Sequence, residues 1–498
     1  MAEDRFALID LGSNSVRLVL FDRAKPFAAP LINEKSVVEL ARDLEETGKL
    51  SADRMEAAFD VFLHFKWLLD GLGVSEIHIL ATAAVRDAKN AKELIEPIES
   101  IMQSRVRILA GTEEANFAAK GVLLTCPGAE GLVADLGGGS LELAKIKSGL
   151  IDCQTSLPLG VLRLESIGVN TAKQLLKEAF KKINWLKQLD ETDQVYLVGG
   201  TWRALATAHM VHKAYPLNVL HRYTTTTKTL RNYTKQILVR SSHRIDAMAS
   251  VPVARRQKLP WAALVANKLA KEVSCQRVVF SQGGLREGYS APLLGREQEL
   301  KQDQATRYDK AIAALIPDGG RFGPADQALF EWMSPLFDNE DEALKNRRRQ
   351  ACQLFDFGWE AHPSYRNIDI PSSVLHSATL TQAHRDRAYL GLVLLLRHGG
   401  NPTNRKEHKW LKLVKLLSKT QARHAHITGR ALRLAYKISR GIAPLVGSTS
   451  LQVENLTLRL KINEEKLWTT QDFFKAALRN LSETLALEHE IILVGDDS

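Results

Sequence analysis

Residues 7–18 read ALIDLGSNSVRL, and residues 132–143, 125 positions further on, read LVADLGGGSLEL. Each stretch has the form of an apolar strand, a tight loop of small residues and a second strand. Aspartate, leucine, glycine, serine and leucine recur in register as Asp10/Asp135, Leu11/Leu136, Gly12/Gly137, Ser15/Ser140 and Leu18/Leu143. In a hairpin loop without large side chains, successive backbone N–H groups can converge on one anion, and a serine hydroxyl adds a donor. An aspartate at the strand end can hold a cation that neutralises the same phosphate. One Gly-Ser hairpin is read more simply as a tight turn with no ligand. Two in register imply two similar lobes facing each other across a cleft, each lending one loop. No G-x-x-x-x-G-K-[ST] stretch follows a strand, so neither loop is a Walker-type P-loop.

Two further glycine pairs follow apolar runs. Residues 195–201, VYLVGGT, lead into a helical pattern starting near Trp202, and residues 277–284, RVVFSQGG, lead into LREGY. A strand, a glycine pair and a helix start can bring an anion to a helix N-terminus. Close strand–helix packing explains either pair equally well.

At 498 residues the chain is long enough for three or four domains, and 45% hydrophobic with 25% charged residues is the composition of a folded protein. The opening MAEDR leaves no room for a signal peptide before the strand-like run at Phe6, and no apolar stretch approaches the length of a transmembrane helix. Cys126, Cys153, Cys275 and Cys352 form no C-x-x-C pair, which points away from a zinc site or disulfide framework and towards the cytoplasm. The net charge of +10 is local. Between Arg397 and Arg440 there are twelve Lys/Arg and one acid, Glu407, so the remainder sums to about −1. This stretch reads either as a solvated helix face, with Lys409, Lys412, Lys415 and Lys419 at roughly helical spacing, or as a track for a polyanion.

The two loops, DLGSNS at 10–15 and DLGGGS at 135–140, resemble the phosphate motifs of the Ppx/GppA family of exopolyphosphatases and guanosine pentaphosphate phosphohydrolases, within the actin-like, sugar-kinase and Hsp70 ATPase superfamily. Three more segments are similar to family motifs in family order: ATAAVRDAKN at 81–90, GTEEA at 111–115 and SQGGLREG at 281–288. The resemblance covers about residues 5–290. It implies an α/β fold with two actin-like (ribonuclease H-like) lobes at 1–120 and 121–300. A mainly helical HD-like domain at 301–445 and a small α/β unit at 446–498 would follow.

Carried onto this chain, the resemblance implies Glu114 as the base that activates water, and Asp135 and Glu142 as holders of Mg²⁺ or Mn²⁺. Gly137, Gly138, Gly139 and Ser140 would bind the transferring phosphoryl group, and Ser13, Asn14, Ser15, Arg17 and Arg86 would clamp the phosphate chain. The chemistry is consistent with these roles, because phosphoryl transfer depends on positioning and charge neutralisation. Glu114 has a plainer reading beside this one: with Thr112 as N-cap, Glu113 and Glu114 in a first helical turn suit the helix dipole. Glu113 is the neighbouring candidate for the base. Arg86 has a plainer reading too, as a salt bridge to Asp87.

After Tyr289, amphipathic helices are expected at 326–337, 342–355 and 385–396. Residues 321–328, RFGPADQA, are similar to the start of the HD-like domain. The metal-binding His-Asp dipeptide is absent from the chain, with Asp356 near its expected place, so His362 and His384 read as caps or packed side chains. Alternation from Leu451 to Ile462 reads as strand, followed by a helix at 470–487 and a strand near Ile491. The expected activity is removal of terminal phosphate from inorganic polyphosphate, with guanosine pentaphosphate as a possible second substrate. A homodimer is expected by resemblance, and Lys409, Lys412 and Lys419 are the candidate polymer track. A small-molecule kinase of the same superfamily and a non-catalytic sensor of such ligands are the alternatives.

Overall fold

The computed structural model describes residues 4–25, 29–239, 250–316, 320–402, 408–462 and 472–493. It divides into two compact units, Met1–Asp303 and Gln304–Ser498.

The first unit holds two sheets of matching plan. In the first, β1 (Arg5–Leu11), β2 (Ser15–Asp22), β3 (Ile32–Val37), β4 (Ile77–Ala81) and β5 (Val106–Ile108) are ordered β3-β2-β1-β4-β5. In the second, β6 (Gly131–Leu136), β7 (Leu141–Lys147), β8 (Leu150–Leu157), β9 (Gln194–Val198), β10 (Tyr223–Thr226) and β11 (Arg277–Ser281) are ordered β10-β11-β9-β6-β7-β8. With β10 set aside, the orders are the same, so the twelve-residue repeat is the visible part of a repeat of whole lobes. In both sheets the first three strands are antiparallel and the crossover strands parallel.

The central strands are buried on both faces, as a sheet covered by helices requires. Along β1, Phe6 and Leu8 enter one core cluster while Ala7, Ile9 and Leu11 enter another. Along β6, Leu132, Ala134 and Leu136 face one cluster and Val133 the other. The polar end of each strand is what remains outside these cores, and it carries the aspartate.

The Gly111–Thr125 and Leu285–Leu293 helices pack against each other between the sheets. Their contact is too close for side chains: a Cβ on Gly121 would lie 2.0 Å from the Gly284 carbonyl oxygen, and one on Gly288 would lie 1.9 Å from that of Phe117. Leu285, Tyr289 and Leu293 then pack against the first lobe's Phe6–Leu8 cluster. The chain therefore returns to the first lobe at the end of the second.

The second unit is mainly helical, followed by a three-stranded sheet. Helices run over Asp326–Trp332, Glu342–Gln353 and His384–Arg397, with short 3₁₀ turns at Ser334–Leu336 and Leu354–Asp356 finishing the first two. Asp356 accepts from Arg321 Nη2 at 2.7 Å. His362 Nδ1 accepts from the Ser364 backbone N–H at 3.3 Å, and His384 is buried in the first turn of its helix. The alternating run from Leu451 is two strands rather than one. β12 (Thr449–Glu454) and β13 (Thr457–Ile462) form a hairpin whose turn residues, Asn455 and Leu456, both have positive φ, at 49° and 62°. The Asp472–Leu485 helix and β14 (Glu488–Leu493) complete the unit, with β14 parallel to β13. No helix among the described residues is long and apolar enough to cross a membrane.

Candidate active site

The two repeated hairpins bring their loops together. Each is closed by the same backbone bond, Gly12 N–H to Ser15 O at 3.1 Å and Gly137 N–H to Ser140 O at 3.0 Å. The loops meet at van der Waals contact: a Cβ on Gly138 would lie 2.9 Å from Ser13 Cβ, and one on Gly139 would lie 3.0 Å from Ala83 Cβ. A side chain at Gly138 or Gly139 would press on the first lobe at Ser13 or Ala83.

The loops border a cleft of about 650 Å³ lined by Ser13, Asn14, Ser15, Arg17, Glu114, Asp135, Gly137, Gly138, Gly139, Ser140 and Glu142. Strand register explains the charged positions. Asp135 pairs with Glu142 across the second hairpin, and Asp10 pairs with Arg17 across the first. The carboxylate–carboxylate pair of one lobe is thus a carboxylate–guanidinium pair in the other.

Glu114 reaches the cleft from the first turn of the Gly111–Thr125 helix and is only 7% exposed. The N-cap of that helix is Ala110 and not Thr112, because the helix begins at Gly111. Glu113 closes the cap, accepting from the Ala110 N–H at 2.9 Å, and its other oxygen accepts from Arg107 Nη2. The two neighbouring glutamates are thereby separated: Glu113 turns outward and Glu114 inward. Arg86 Nη1 donates both to Glu114 Oε1 and, at 2.8 Å, to the Leu109 carbonyl. The Arg86 guanidinium also lies 3.4 Å from Asp87, so the plainer ion pair and the contact to Glu114 coexist.

Burial raises the Glu114 carboxyl to about 7; Arg86 opposes this, and Asp135 and Asp10 add to it. Burial likewise raises Asp135 to about 6, with Asp10 reinforcing and Arg203 and Arg286 opposing. Glu142, 4% exposed, is pushed well up by burial, by Glu114 and by Asp135, although Ser156 Oγ donates to it at 2.9 Å. Buried carboxylates that repel one another are the hard-oxygen donors a divalent cation neutralises, and Mg²⁺ needs only one or two of them beside phosphate oxygens and water. The donor set at Asp135 and Glu142 fits that ion.

The same cleft is rich in cations, several of which no sequence motif marks. Lys35, Arg203, Arg255, Lys258 and Arg286 line the cleft with Arg17. Arg203 and Arg286 follow the two glycine pairs, so those motifs held the signal. The first helix begins at Gly200 rather than near Trp202, and Gly199, with φ at 112°, lies so close to Asp135 that a Cβ would be 2.8 Å from its Oδ1. Lys35 is the direct cross-strand partner of Arg17, a register that no local pattern reveals. Lys258 Nζ donates to Asn14 Oδ1 at 2.5 Å, tying the second lobe to the first loop. Burial and the neighbouring Arg255, Arg17 and Arg203 lower Lys35 to about 8, and burial with Arg286 and Arg203 lowers Arg17 to about 10. These cations repel one another, and a polyanion in the cleft would relieve the repulsion.

The remaining candidates belong to the second unit. Lys412 and Lys419 are exposed, as is Lys415, on and between the His408–Val414 and Lys419–Ser439 helices. The Lys409 side chain lies outside the described residues. The basic stretch is not all surface: Arg397 is 3% exposed, donates to the Phe355 carbonyl at 3.0 Å and stacks 3.9 Å from the Tyr436 ring centroid.

Residues 3–297 match the family model described as Ppx/GppA phosphatase family, and residues 332–482 match the one described as exopolyphosphatase, C-terminal. A guanosine-5'-triphosphate,3'-diphosphate pyrophosphatase of Vibrio cholerae serotype O1 is 25% identical over 480 residues, covering 91% of each chain. Among solved structures, an exopolyphosphatase from Cytophaga hutchinsonii superposes with a TM-score of 0.52 at 24% identity, over 58% of this chain and 98% of that one. A Ppx/GppA family member from Aquifex aeolicus gives 0.50 at 25% identity, over 60% and 99%. With two actin-like lobes of the same plan and a family match across more than half its length, this chain belongs to the Ppx/GppA phosphatase family.

Proposed function

We propose that the cleft removes the terminal phosphoryl group of inorganic polyphosphate by attack of a water molecule that Glu114 deprotonates. The observation that carries this reading is the polarity of the cleft. Buried carboxylates and a small-residue loop line it together with Arg17, Lys35, Arg203, Arg255, Lys258 and Arg286.

The backbone N–H groups of Gly137–Gly139 and the Ser140 hydroxyl would orient the terminal phosphoryl group, and Arg17, Lys35, Arg203, Arg255 and Lys258 would hold the phosphates behind it. Glu114 would take one proton from the water as the new P–O bond forms. The bridging P–O bond then breaks, and the shortened chain keeps that oxygen. Arg86, which donates to Glu114 Oε1, would turn to the phosphoryl oxygens. Asp135 and Glu142 would hold Mg²⁺, which when bound neutralises charge on the phosphate oxygens.

Guanosine pentaphosphate is the second candidate substrate, favoured by full-length similarity to the Vibrio cholerae protein. The match of the second unit to an exopolyphosphatase C-terminal model favours the polymer. Phosphate release from long-chain polyphosphate and from guanosine pentaphosphate, each with and without EDTA, tests both. Release from neither substrate, at any Mg²⁺ or Mn²⁺ concentration, would refute the hydrolase reading.

A further inference from the structure

A second cavity of about 300 Å³ adjoins the cleft, and Arg86, Thr112, Ser140, Ser156, Pro158 and Arg163 are among the residues that line it. Ser140 faces both spaces. Two side-chain contacts run between the two linings. Arg86 on the far side bonds Glu114 in the cleft, and Ser156 on the far side bonds Glu142 in the cleft. The outer rim spans the two lobes, because Arg163 of the second is held by Glu45 and, at 2.6 Å, by Asp87 of the first.

In-line displacement gives this cavity a use. The attacking water and the leaving chain must stand on opposite sides of the phosphoryl group. A chain displaced by water activated at Glu114 leaves away from Glu114, so the inverted phosphoryl group lies on the side of Glu114, whose partner Arg86 lines the second cavity. The orthophosphate formed is then separated from the cleft mouth by the chain it was cut from. We propose that orthophosphate leaves through the second cavity, passing from Ser140 and Arg86 to the hydroxyls of Thr112 and Ser156 and the guanidinium of Arg163. Arg86 is the movable group between the two linings, since turning from Glu114 to follow the phosphate opens the way. This exit rests on the phosphohydrolase reading above and adds a route to it.

Thr112 is exposed at the rim, which lets a plug be added after folding. The Thr112→Cys protein would be treated with a methyl or a benzyl methanethiosulfonate. Labelled wild type controls for Cys153, which is part-exposed while the other three cysteines are buried. On long polyphosphate the benzyl adduct is expected to lower turnover by about 10-fold, because release becomes limiting. Orthophosphate formed on the enzyme, measured after acid quench, should run ahead of free orthophosphate, measured with a fluorescent phosphate sensor, by about one per active site. The methyl adduct should be slowed far less than the benzyl adduct, and reductant should return the benzyl adduct to the rate of unlabelled Thr112→Cys. An unchanged rate with the benzyl adduct, or formed and free phosphate slowing together, would overturn the exit while leaving hydrolysis standing. An unlabelled enzyme that releases no phosphate from polyphosphate or guanosine pentaphosphate would overturn the hydrolase reading and the exit together, and this is seen before any label is added.

Discussion

Arg86 forms an ion pair with Glu114 of the cleft lining, Nη1 on Oε1, with the glutamate almost wholly buried and the arginine about a quarter exposed. Such a pair sets the proposed base and the proposed phosphate clamp against each other. A phosphate that draws Arg86 away leaves Glu114 without its main charge partner, in a site that already favours the protonated form. Substrate binding and the protonation of Glu114 are thereby coupled through one guanidinium.

Glu114→Gln should keep the fold and polyphosphate binding and lose roughly 10²–10⁴-fold in kcat, the usual contribution of a general base. Glu113→Gln should retain nearly all activity, because Glu113 faces outward and serves the helix cap and Arg107. Steady-state rates of the two variants decide between neighbouring residues. A dead Glu113→Gln beside an active Glu114→Gln would reverse the assignment.

The dependence of kcat/KM on pH should be bell-shaped. Glu114 sits near 7 and acts as a base only after losing its proton, so activity should rise as pH passes through about 7. Lys35 sits near 8 and holds phosphate only while protonated, so affinity should fall as pH passes above about 8. Lys35→Arg should abolish the alkaline limb and leave the acid limb in place. A limb at 8 that persists in Lys35→Arg would assign it elsewhere.

The part of this site legible in the sequence is the part made by local structure. Asp10, Asp135, Glu142 and the two loops belong to hairpins, whose geometry a dozen residues determine. Arg203 and Arg286 were half legible, since their glycine pairs marked helix starts but not what those starts faced. Lys35, Arg255 and Lys258 reach the cleft only through sheet pairing or tertiary packing, and no spacing around them differs from that of a solvated cation. The same limit holds for the fold. The Gly121–Gly284 contact that seats one helix on another depends on the absence of side chains at two distant positions. The turn at Asn455–Leu456 interrupts an apolar alternation that otherwise continues.

Removing either carboxylate of the proposed metal site should shift the requirement for cation before it shifts anything else. Asp135→Ala and Glu142→Ala should each raise the Mg²⁺ concentration for half-maximal rate, because the ion has few protein ligands to begin with. Ser156→Ala should do so more weakly, since Ser156 only orients Glu142. An identical Mg²⁺ titration in both carboxylate variants would place the ion elsewhere.

The helical unit should carry an acid-sensitive link at Glu340. Its carboxylate accepts from His424 Nε2 at 2.6 Å and from Arg348 Nη2 at 2.7 Å, and Arg348 is 3% exposed. Burial opposes ionisation there, but the two donors prevail and lower Glu340 to about 2. A depressed carboxylate stabilises the fold fully above its unfolded pKa, and that contribution is lost as pH falls towards the folded value. Between about pH 4.5 and 2 the unit should therefore lose on the order of 3 kcal/mol. Glu340→Gln should be less stable at neutral pH and show a flatter acid dependence in denaturant titrations. Parallel profiles for the variant and wild type would remove Glu340 from that role.

The exposed lysines of the second unit offer a test of whether substrate length is read outside the cleft. Trp410 and Leu413 anchor the short His408–Val414 helix inward, and Lys412, Lys415 and Lys419 project into solvent where no ion pair holds them among the described residues. Exposed charges act on a polyanion over a Debye length of about 10 Å at 0.1 M salt. On the polymer-track reading, long polyphosphate engages them, and tripolyphosphate or a guanosine nucleotide, which the cleft alone would hold, does not. Replacing Lys409, Lys412 and Lys419 with Glu should weaken binding of long polyphosphate and flatten its salt dependence, and leave KM for the short substrates near wild type. Equal losses on long and short substrates would mean that the lysines support the fold. No loss on either would make them a solvated helix face, with polymer recognition confined to the cleft cations Arg17, Lys35, Arg203, Arg255 and Lys258.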